Sequence, residues 1–496
     1  MVIISTNKGK IKGLEKPNIQ CFLGIPYAKP PVCNLRFCEP QPMDSWESIK
    51  DTTKFGFIAP QNHPDTPPIE QIEDENCLFL NIWTPKADDK ARPVMVWIHG
   101  GGYIIGSSSR PRLNGERLAI YGNVVVVSFN YRLGALGFLN LPGIPPNLGM
   151  QDQIAALKWI QENIHNFGGD PTNITIFGES AGGMSVAILL AIPAARGLFH
   201  KAIIESGAAN PRDFMPERAR KGSEELLSKL HIELGNLDAL REVPLKKLLR
   251  MQKKIAGTIV DNKESPFWPF VDGKLIPEQP LEIIRKGKVS KIPLIIGYND
   301  DELGFISNLL EQADEDRKNV IIGLVQSRIH KIGINKENLE KLISTYKQEM
   351  SMIYPNKPYK YWDMILADAM FRIRIIRQLE AHAIHQSNIY SYIFTYESPI
   401  SGSALHTFEI PFVFGNIDTT DMAEGAIESN ETTEQLSKII MDTWITFAKT
   451  GNPNHDSLPE WPSYDMINRA TMVLGINPKV YFEPLDILRK VWDNML

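Results

Sequence analysis

Ser180 stands at the centre of Gly178-Glu179-Ser180-Ala181-Gly182, between an apolar, β-branched run at 174–177 and an apolar stretch at 184–190. A serine hydroxyl attacks poorly until a base takes its proton and a third group orients that base. The G-x-S-x-G spacing suits such chemistry: a strand turns directly into a helix, and the serine is held up in a strained conformation at the turn. Glycines on either side remove the β-carbons that would block the turn. The helix behind the serine presents its positive N-terminal end to developing negative charge. Ser180 is therefore the candidate nucleophile of an acyl-transfer reaction.

Acyl transfer also requires donors for the carbonyl oxygen as it becomes negative. His99-Gly100-Gly101-Gly102-Tyr103 follows the strand-like run 94–98, and its glycines let backbone N–H groups close on one point. In strand–elbow hydrolases the acid follows the serine and the base comes last. Four late histidines qualify: His382 and His385 in a helix-like segment, His455 in a polar loop, and His406 just past an apolar run at 389–396. Residue types and spacing leave that choice open. For the acid, Asp300, Asp301 and Glu302 lie at the end of the strand-like run that begins at 294–296, where a triad acid belongs.

The elements that must hold these groups read as an alternation. Strand-like runs lie at 94–98, 124–129, 174–177, 202–204, 294–296 and 389–396. Several are continuously apolar, as strands covered on both faces are. Between the second and third, residues 151–165 carry Ile154, Leu157, Ile160 and Ile164 near helical spacing, and Gly168-Gly169-Asp170-Pro171 follows the helix. Such strand–helix–strand units build a largely parallel sheet, so the fold class is α/β. Residues 1–90 carry short strand-like pieces and many prolines. Two polar, helix-rich stretches, at about 210–260 and 305–385, interrupt the alternation. They read as insertions that wall a pocket, within a single catalytic domain spanning 1–496.

Composition bounds the rest. A chain of 496 residues, 43% hydrophobic and 22% charged, can bury a large core in water. Its net charge of −5 and lack of long basic runs argue against nucleic acid or an anionic membrane as partner. No apolar run approaches ~20 residues, so no membrane span is expected. The first ten residues lack the basic start and long apolar region of a signal peptide. Cys21, Cys33, Cys38 and Cys77 accordingly read as reduced thiols, and the expected location is cytoplasmic.

Further motifs carry a family resemblance. They are 24–31 with Leu35-Arg36-Phe37, Glu75-Asn76-Cys77-Leu78-Phe79-Leu80-Asn81, Asn130-Tyr131-Arg132-Leu133-Gly134, Asn147-Leu148-Gly149-Met150-Gln151-Asp152-Gln153 and 167–171. Asp272-Gly273, the His406 segment ending Phe412-Val413-Phe414-Gly415, and Trp444 through Gly451-Asn452-Pro453-Asn454 complete the set. Along most of its length the sequence resembles the type-B carboxylesterases. This branch of the α/β-hydrolases includes bacterial para-nitrobenzyl-esterase-like enzymes, animal carboxylesterases and cholinesterases.

The resemblance implies an α/β-hydrolase fold: a large, mostly parallel central sheet flanked by helices, with helical insertions over the active site. It implies a serine carboxylesterase that hydrolyses small or medium acyl esters through an acyl-enzyme. Position by position, Ser180 matches the nucleophile, Glu302 the acid and His406 the base. Glu302 is favoured over Asp300 and Asp301 because family members use Glu. Gly101, Gly102 and Ala181 match the oxyanion hole, and Tyr103 and Met184 would line the pocket. Arg36 and Glu75 match a buried, structural ion pair. No metal or organic cofactor is implied.

The departures from the pattern are specific. Leu303 follows the acid and Thr407 the base where Gly is usual, and Asn76 replaces a frequent Asp. Secreted relatives pair the cysteine matching Cys77 with one upstream, but 39–76 holds none. Cholinesterases hold the quaternary ammonium on an aromatic residue in the stretch matching 60–76, which here has no tryptophan, so choline esters are not expected to be preferred. Two other readings share these residues: a binding protein on the same fold, and a hydrolase of amides, carbamates or lactones. The natural substrate and the oligomeric state stay open.

Overall fold

Successive residues of the apolar runs enter two different cores, one on each face of a single sheet. The computed structural model describes residues 1–62, 71–210, 214–256, 265–419, 426–493 and 495. Its strands are β1 (Val2–Ser5), β2 (Lys10–Lys16), β3 (Ile19–Pro26), β4 (Lys50–Asp51), β5 (Phe79–Thr84), β6 (Arg92–Ile98) and β7 (Val125–Phe129). They continue with β8 (Gly169–Glu179), β9 (Lys201–Glu205), β10 (Leu294–Asn299), β11 (Ile389–Phe394), β12 (Thr471–Leu474) and β13 (Lys479–Tyr481). The order is β1-β2-β3-β5-β7-β6-β8-β9-β10-β11-β12-β13, with β4 beside β2. Every pairing from β7 to β12 is parallel. An antiparallel N-terminal meander joins at β7, and β13 closes the far edge antiparallel. This is the mostly parallel α/β sheet of an α/β-hydrolase.

Alternation decides which core each residue enters. Val94, Val96, Ile98, Ile174, Ile176, Ala202, Ile204, Leu294 and Ile296 pack on one face. They meet Leu157 and Ile160 of the helix Leu148–Asn163 and Ile188 of the helix Ala181–Ala191. Met95, Trp97, Phe177, Ile203 and Ile295 pack on the other face, against Trp444 and Phe447 of the helix Glu431–Thr450. A third buried cluster, including Leu303, Ile306, Leu310, Leu342, Tyr346, Trp362 and Trp492, lies apart from the sheet.

That third cluster is built mainly by the helices Ile306–Gln312, Glu315–Lys331, Lys336–Ile353 and Lys360–Ala367, with a π-helical turn at Asp368–Arg372 leading into Ile373–Ala383. The earlier polar stretch holds the helices Pro216–Leu230, Leu237–Arg241 and Leu245–Ile255. Its residues 211–213 and 257–260, and residues 63–70 of the tryptophan-free stretch, lie outside the described residues.

Two details depart from the sequence expectation. The helix ends at Asn163 in a 3₁₀ turn, Ile164–Phe167, closed by Gly168 in the left-handed region at φ 78°. β8 then begins at Gly169, because Arg92 pairs with Gly169 and a register shift lets 170–173 bulge before Val94 meets Ile174. Among the described residues, no helix is long and apolar enough to cross a membrane.

Register levels the C-terminal ends of the central strands. Ile98 pairs with Gly178, Glu179 with Glu205, and Glu205 with Gly297. The segments that follow β6, β8, β9 and β10 therefore leave the sheet at one height.

Ion pairs of two buried arginines brace this end. Arg36 Nε meets Glu75 Oε2 at 2.7 Å and also donates to the carbonyls of Arg241 and Val243. Arg132 grips Asp152 twice, Nε to Oδ2 at 2.8 Å and Nη2 to Oδ1 at 2.7 Å, with both residues buried. Next to it, Tyr131 donates its hydroxyl to the His99 carbonyl at 2.8 Å, and Gly134 N–H to the Tyr103 carbonyl at 2.7 Å. The ion pair thus anchors the glycine loop. Asp152→Asn leaves a buried guanidinium without its counter-charge and is expected to cost about 3–5 kcal/mol, measured as a lower free energy of unfolding in urea.

Candidate active site

Ser180 has φ 56° and ψ −122°, a conformation that a residue with a side chain rarely adopts. The chain is locked there from both sides. Ser180 N–H donates to the Glu205 carbonyl at 2.9 Å, and the Ser180 carbonyl accepts the first helix bond from Met184 at 2.8 Å. A β-carbon on Gly178 would lie 2.6 Å from the Ile98 carbonyl oxygen, and one on Gly182 would overlap that same oxygen. The glycines of the pentapeptide exist so that β6 can pass close to the turn.

The glycine loop lies beside it. Gly101, Gly102 and Tyr103 all have positive φ, at 109°, 61° and 60°, which folds the loop back on itself. Ile104 and Ile105 donate to the Gly101 carbonyl at 3.1 and 3.0 Å. A β-carbon on Gly100 would be 3.2 Å from Ser180 Cβ, so loop and elbow are in contact. Among the described residues, the N–H groups of Gly101, Gly102 and Ala181 meet no protein acceptor. His99 stacks on Tyr131 with ring centres 4.4 Å apart. Burial pushes it down to about 4, so the ring is neutral, and Nδ1 beside the Gly100 carbonyl at 2.9 Å carries its proton.

Of the four late histidines, His406 reaches this end of the sheet. Its Nδ1 lies 2.6 Å from Glu302 Oε2. The other carboxylate oxygen of Glu302 accepts from Ser206 Oγ at 2.6 Å and from Asn299 N–H at 2.9 Å. The two segments are also stitched by backbone, His406 N–H donating to the Glu302 carbonyl at 3.2 Å. His382 is buried within its helix, His385 bonds the Arg285 carbonyl, and His455 bonds Thr443. Thr407 takes φ 76°, which explains why glycine suits the place after the base.

Three residues that the sequence left unremarked shape the imidazole. Its Nε2 faces Glu179 Oε1 at 3.0 Å. The Phe371 ring, from the π-helical turn, packs 4.7 Å from the imidazole centre. Glu409 receives Asn299 Nδ2 at 2.7 Å. Burial alone would lower the His406 value, but the charges of Glu179 and Glu302 outweigh it and hold the imidazole well above its ordinary range. Burial raises Glu409 well above the carboxylate range, and raises Glu205, whose Oε1 accepts from Trp444 Nε1 at 2.8 Å, to about 8. Glu179 lay inside the pentapeptide and Ser206 directly after a parallel strand, so position alone could have flagged both. Nothing in the sequence signals Phe371.

Tyr103 has no exposed surface: its ring meets Phe138 and Trp268 edge-on, and Ser185 Oγ lies 3.2 Å from its hydroxyl. Met184 is buried in the first turn of the elbow helix.

Comparison with known proteins points to one family. A profile described as the Carboxylesterase family matches residues 1–486. The para-nitrobenzyl esterase of Bacillus subtilis (strain 168) is 39% identical, over 97% of this chain and 96% of that protein. Liver carboxylesterase 1 of Oryctolagus cuniculus is 34% identical, over 93% and 88%. The crystal structure of a Geobacillus stearothermophilus carboxylesterase superposes with a TM-score of 0.86 at 34% identity, covering 99% of both chains.

Glu179→Gln removes one of the three carboxylates that raise the His406 value. The imidazole of that variant is expected to titrate at lower pH than in the wild type, read by NMR of ¹³C-labelled histidine.

Proposed function

Because the chain belongs to the carboxylesterase family and hydrolyses carboxylic esters, we propose that Ser180 is its nucleophile, His406 its base and Glu302 its acid. His406 takes the Ser180 proton as the serine oxygen bonds to the acyl carbon, and Glu302 stabilises the imidazolium that results. The carbonyl oxygen, now negative, lies against the N–H groups of Gly101, Gly102 and Ala181. His406 returns the proton to the leaving alcohol. Water then repeats the attack on the acyl-enzyme with the same base, releasing the acid and restoring the serine. Acyl groups of small or medium length are the proposed substrates.

The observation that carries this reading is the pairing of a positive-φ Ser180 beyond β8 with a His406–Glu302 contact of 2.6 Å beyond β10 and β11 of the same parallel sheet. The Nε2–Glu179 contact belongs to the resting arrangement, and the ring takes up the serine proton when an ester fills the site. The helical stretches 210–260 and 305–385 wall the pocket in this proposal, supported by Phe371 of the second lying against the imidazole. A cytoplasmic location is proposed as well. Its support is four free cysteines, of which Cys21 and Cys77 are buried and held as thiols by that burial.

The test is hydrolysis of para-nitrophenyl esters over a series of acyl lengths. The expected result is a maximum at short or medium chains that disappears in Ser180→Ala. Turnover surviving in that variant would sink the nucleophile assignment, and an inert wild type would turn the reading toward binding without catalysis. For the acid, Glu302→Gln is expected to lower kcat by ~10² or more, with Asp301→Asn much milder. The reverse order would move the acid to Asp301.

A further inference from the structure

Asp301 and Glu302 are neighbours in sequence, yet they turn to opposite sides. Glu302 reaches His406, whereas Asp301 meets the ammonium of Lys360. Lys360 opens the helix Lys360–Ala367 and keeps only 2% of its surface exposed. Lysine rarely gives up its water so completely. Here the water is replaced by Asp301, by Asp363 Oδ2 at 3.5 Å, and by the ring of Tyr354, whose centre is 5.5 Å away.

Asp363, one turn further along the same helix, holds the other end of the acid segment. It accepts from Ser307 N–H at 2.8 Å and from Ser307 Oγ at 2.5 Å, at the start of the helix Ile306–Gln312. The segment from Asp301 to Ser307 is thus gripped at both ends by one buried helix. In between, Leu303 enters the separate core of the insertion with Ile306 and Leu310. Gly304 lies so near Asp301 that a β-carbon there would overlap its carboxylate. On its far side the same segment is bonded to the base, Asp301 N–H to the Ala404 carbonyl at 3.3 Å and His406 N–H to the Glu302 carbonyl at 3.2 Å.

We propose that Lys360 is a positioning residue for the triad: by clamping Asp301 it fixes the Glu302–His406 pair, so that the helical insertion sets the proton affinity of the catalytic imidazole. The inference rests on the triad assigned above. Its electrostatic side follows from what faces each group. Lys360 faces Asp301, Asp363 and Tyr354, with Asp300 beside Asp301, and the Arg372–Asp368 pair and Glu397 standing around Asp300 and Tyr298. His406 faces Glu302, Glu179 and Glu409. Removing the ammonium leaves uncompensated carboxylates next to Glu302. That negative charge favours the imidazolium, and the slackened loop lets the Glu302–His406 geometry drift.

The test is the pH profile of kcat/KM on para-nitrophenyl acetate for wild type, Lys360→Met, Asp301→Asn and the double variant. Lys360→Met is expected to lower kcat about tenfold with KM little changed, a fraction of what an ångström of misplacement costs. Its acid limb moves to higher pH. Asp301→Asn moves the limb to lower pH, and the double variant returns it close to wild type. A side chain that merely supported the fold would lower the urea midpoint and leave the limb in place. An unmoved limb in folded Lys360→Met and Asp301→Asn would overturn the proposal. If circular dichroism shows that Lys360→Met does not fold, the direction of the shift in Asp301→Asn decides alone. Failure of the triad itself looks different, as turnover that survives Ser180→Ala.

Discussion

Ser180 keeps its left-handed backbone because two carbonyl oxygens leave the chain no other course. One, from Glu205 at the end of β9, accepts the serine N–H. The other, from Ile98 at the end of β6, occupies the space that side chains at Gly178 and Gly182 would need. Both conditions require β6 and β9 to flank β8 in parallel and to end level with it, which the register provides. The strand order, the glycine loop after β6 and the acid after β10 follow from that requirement. A backbone strained by about 1–3 kcal/mol persists only where its surroundings overdetermine it, and here three strands do so.

Charge is the second organising constraint. Glu179, Glu205, Glu302 and Glu409 are all buried within one neighbourhood, and His406 is the imidazole placed among them. Four carboxylates cannot all ionise there. Burial pushes three of them upward, Glu179 to about 7, Glu205 to about 8 and Glu409 well above the carboxylate range, while Glu302 is supplied with donors from Ser206, Asn299 and His406. His99, fully buried and facing a carbonyl, is driven the opposite way and stays neutral. Two histidines near one end of the sheet are thus pushed in opposite directions, because one meets carboxylates and the other meets backbone.

How much of this the sequence discloses depends on the range of the interaction. The central strands were legible, since continuous apolar runs covered on both faces have few other solutions. The elbow and glycine loop were legible because their geometry demands glycine at fixed local spacing. The choice of His406 over His382, His385 and His455 was not, because a loop histidine carries no period. Only family resemblance pointed to it. Likewise Asp300, Asp301 and Glu302 looked alike as a run until the resemblance favoured Glu302, and in the fold they part through partners about a hundred residues or sixty residues away, His406 and Lys360. The short β12 and β13 escaped notice, as did the start of β8 at Gly169, which depends on a bulge against Arg92. Tyr103 and Met184 read as pocket lining from their places beside the motifs, and both are buried.

The parallel sheet takes its working groups from successive strand ends, from Gly101 after β6 to His406 beyond β11. No stretch of chain shorter than 101–406 contains the whole site. A polypeptide emerging from the ribosome can close β6, β8 and β9 around the elbow and still lack both partners of the serine. Long-range parallel pairing is also slow to form. Esterase activity therefore appears late in folding, after most secondary structure is in place. The unfinished chain carries an exposed serine turn without the base that would make it reactive, so the topology itself keeps the nucleophile latent until the molecule is whole.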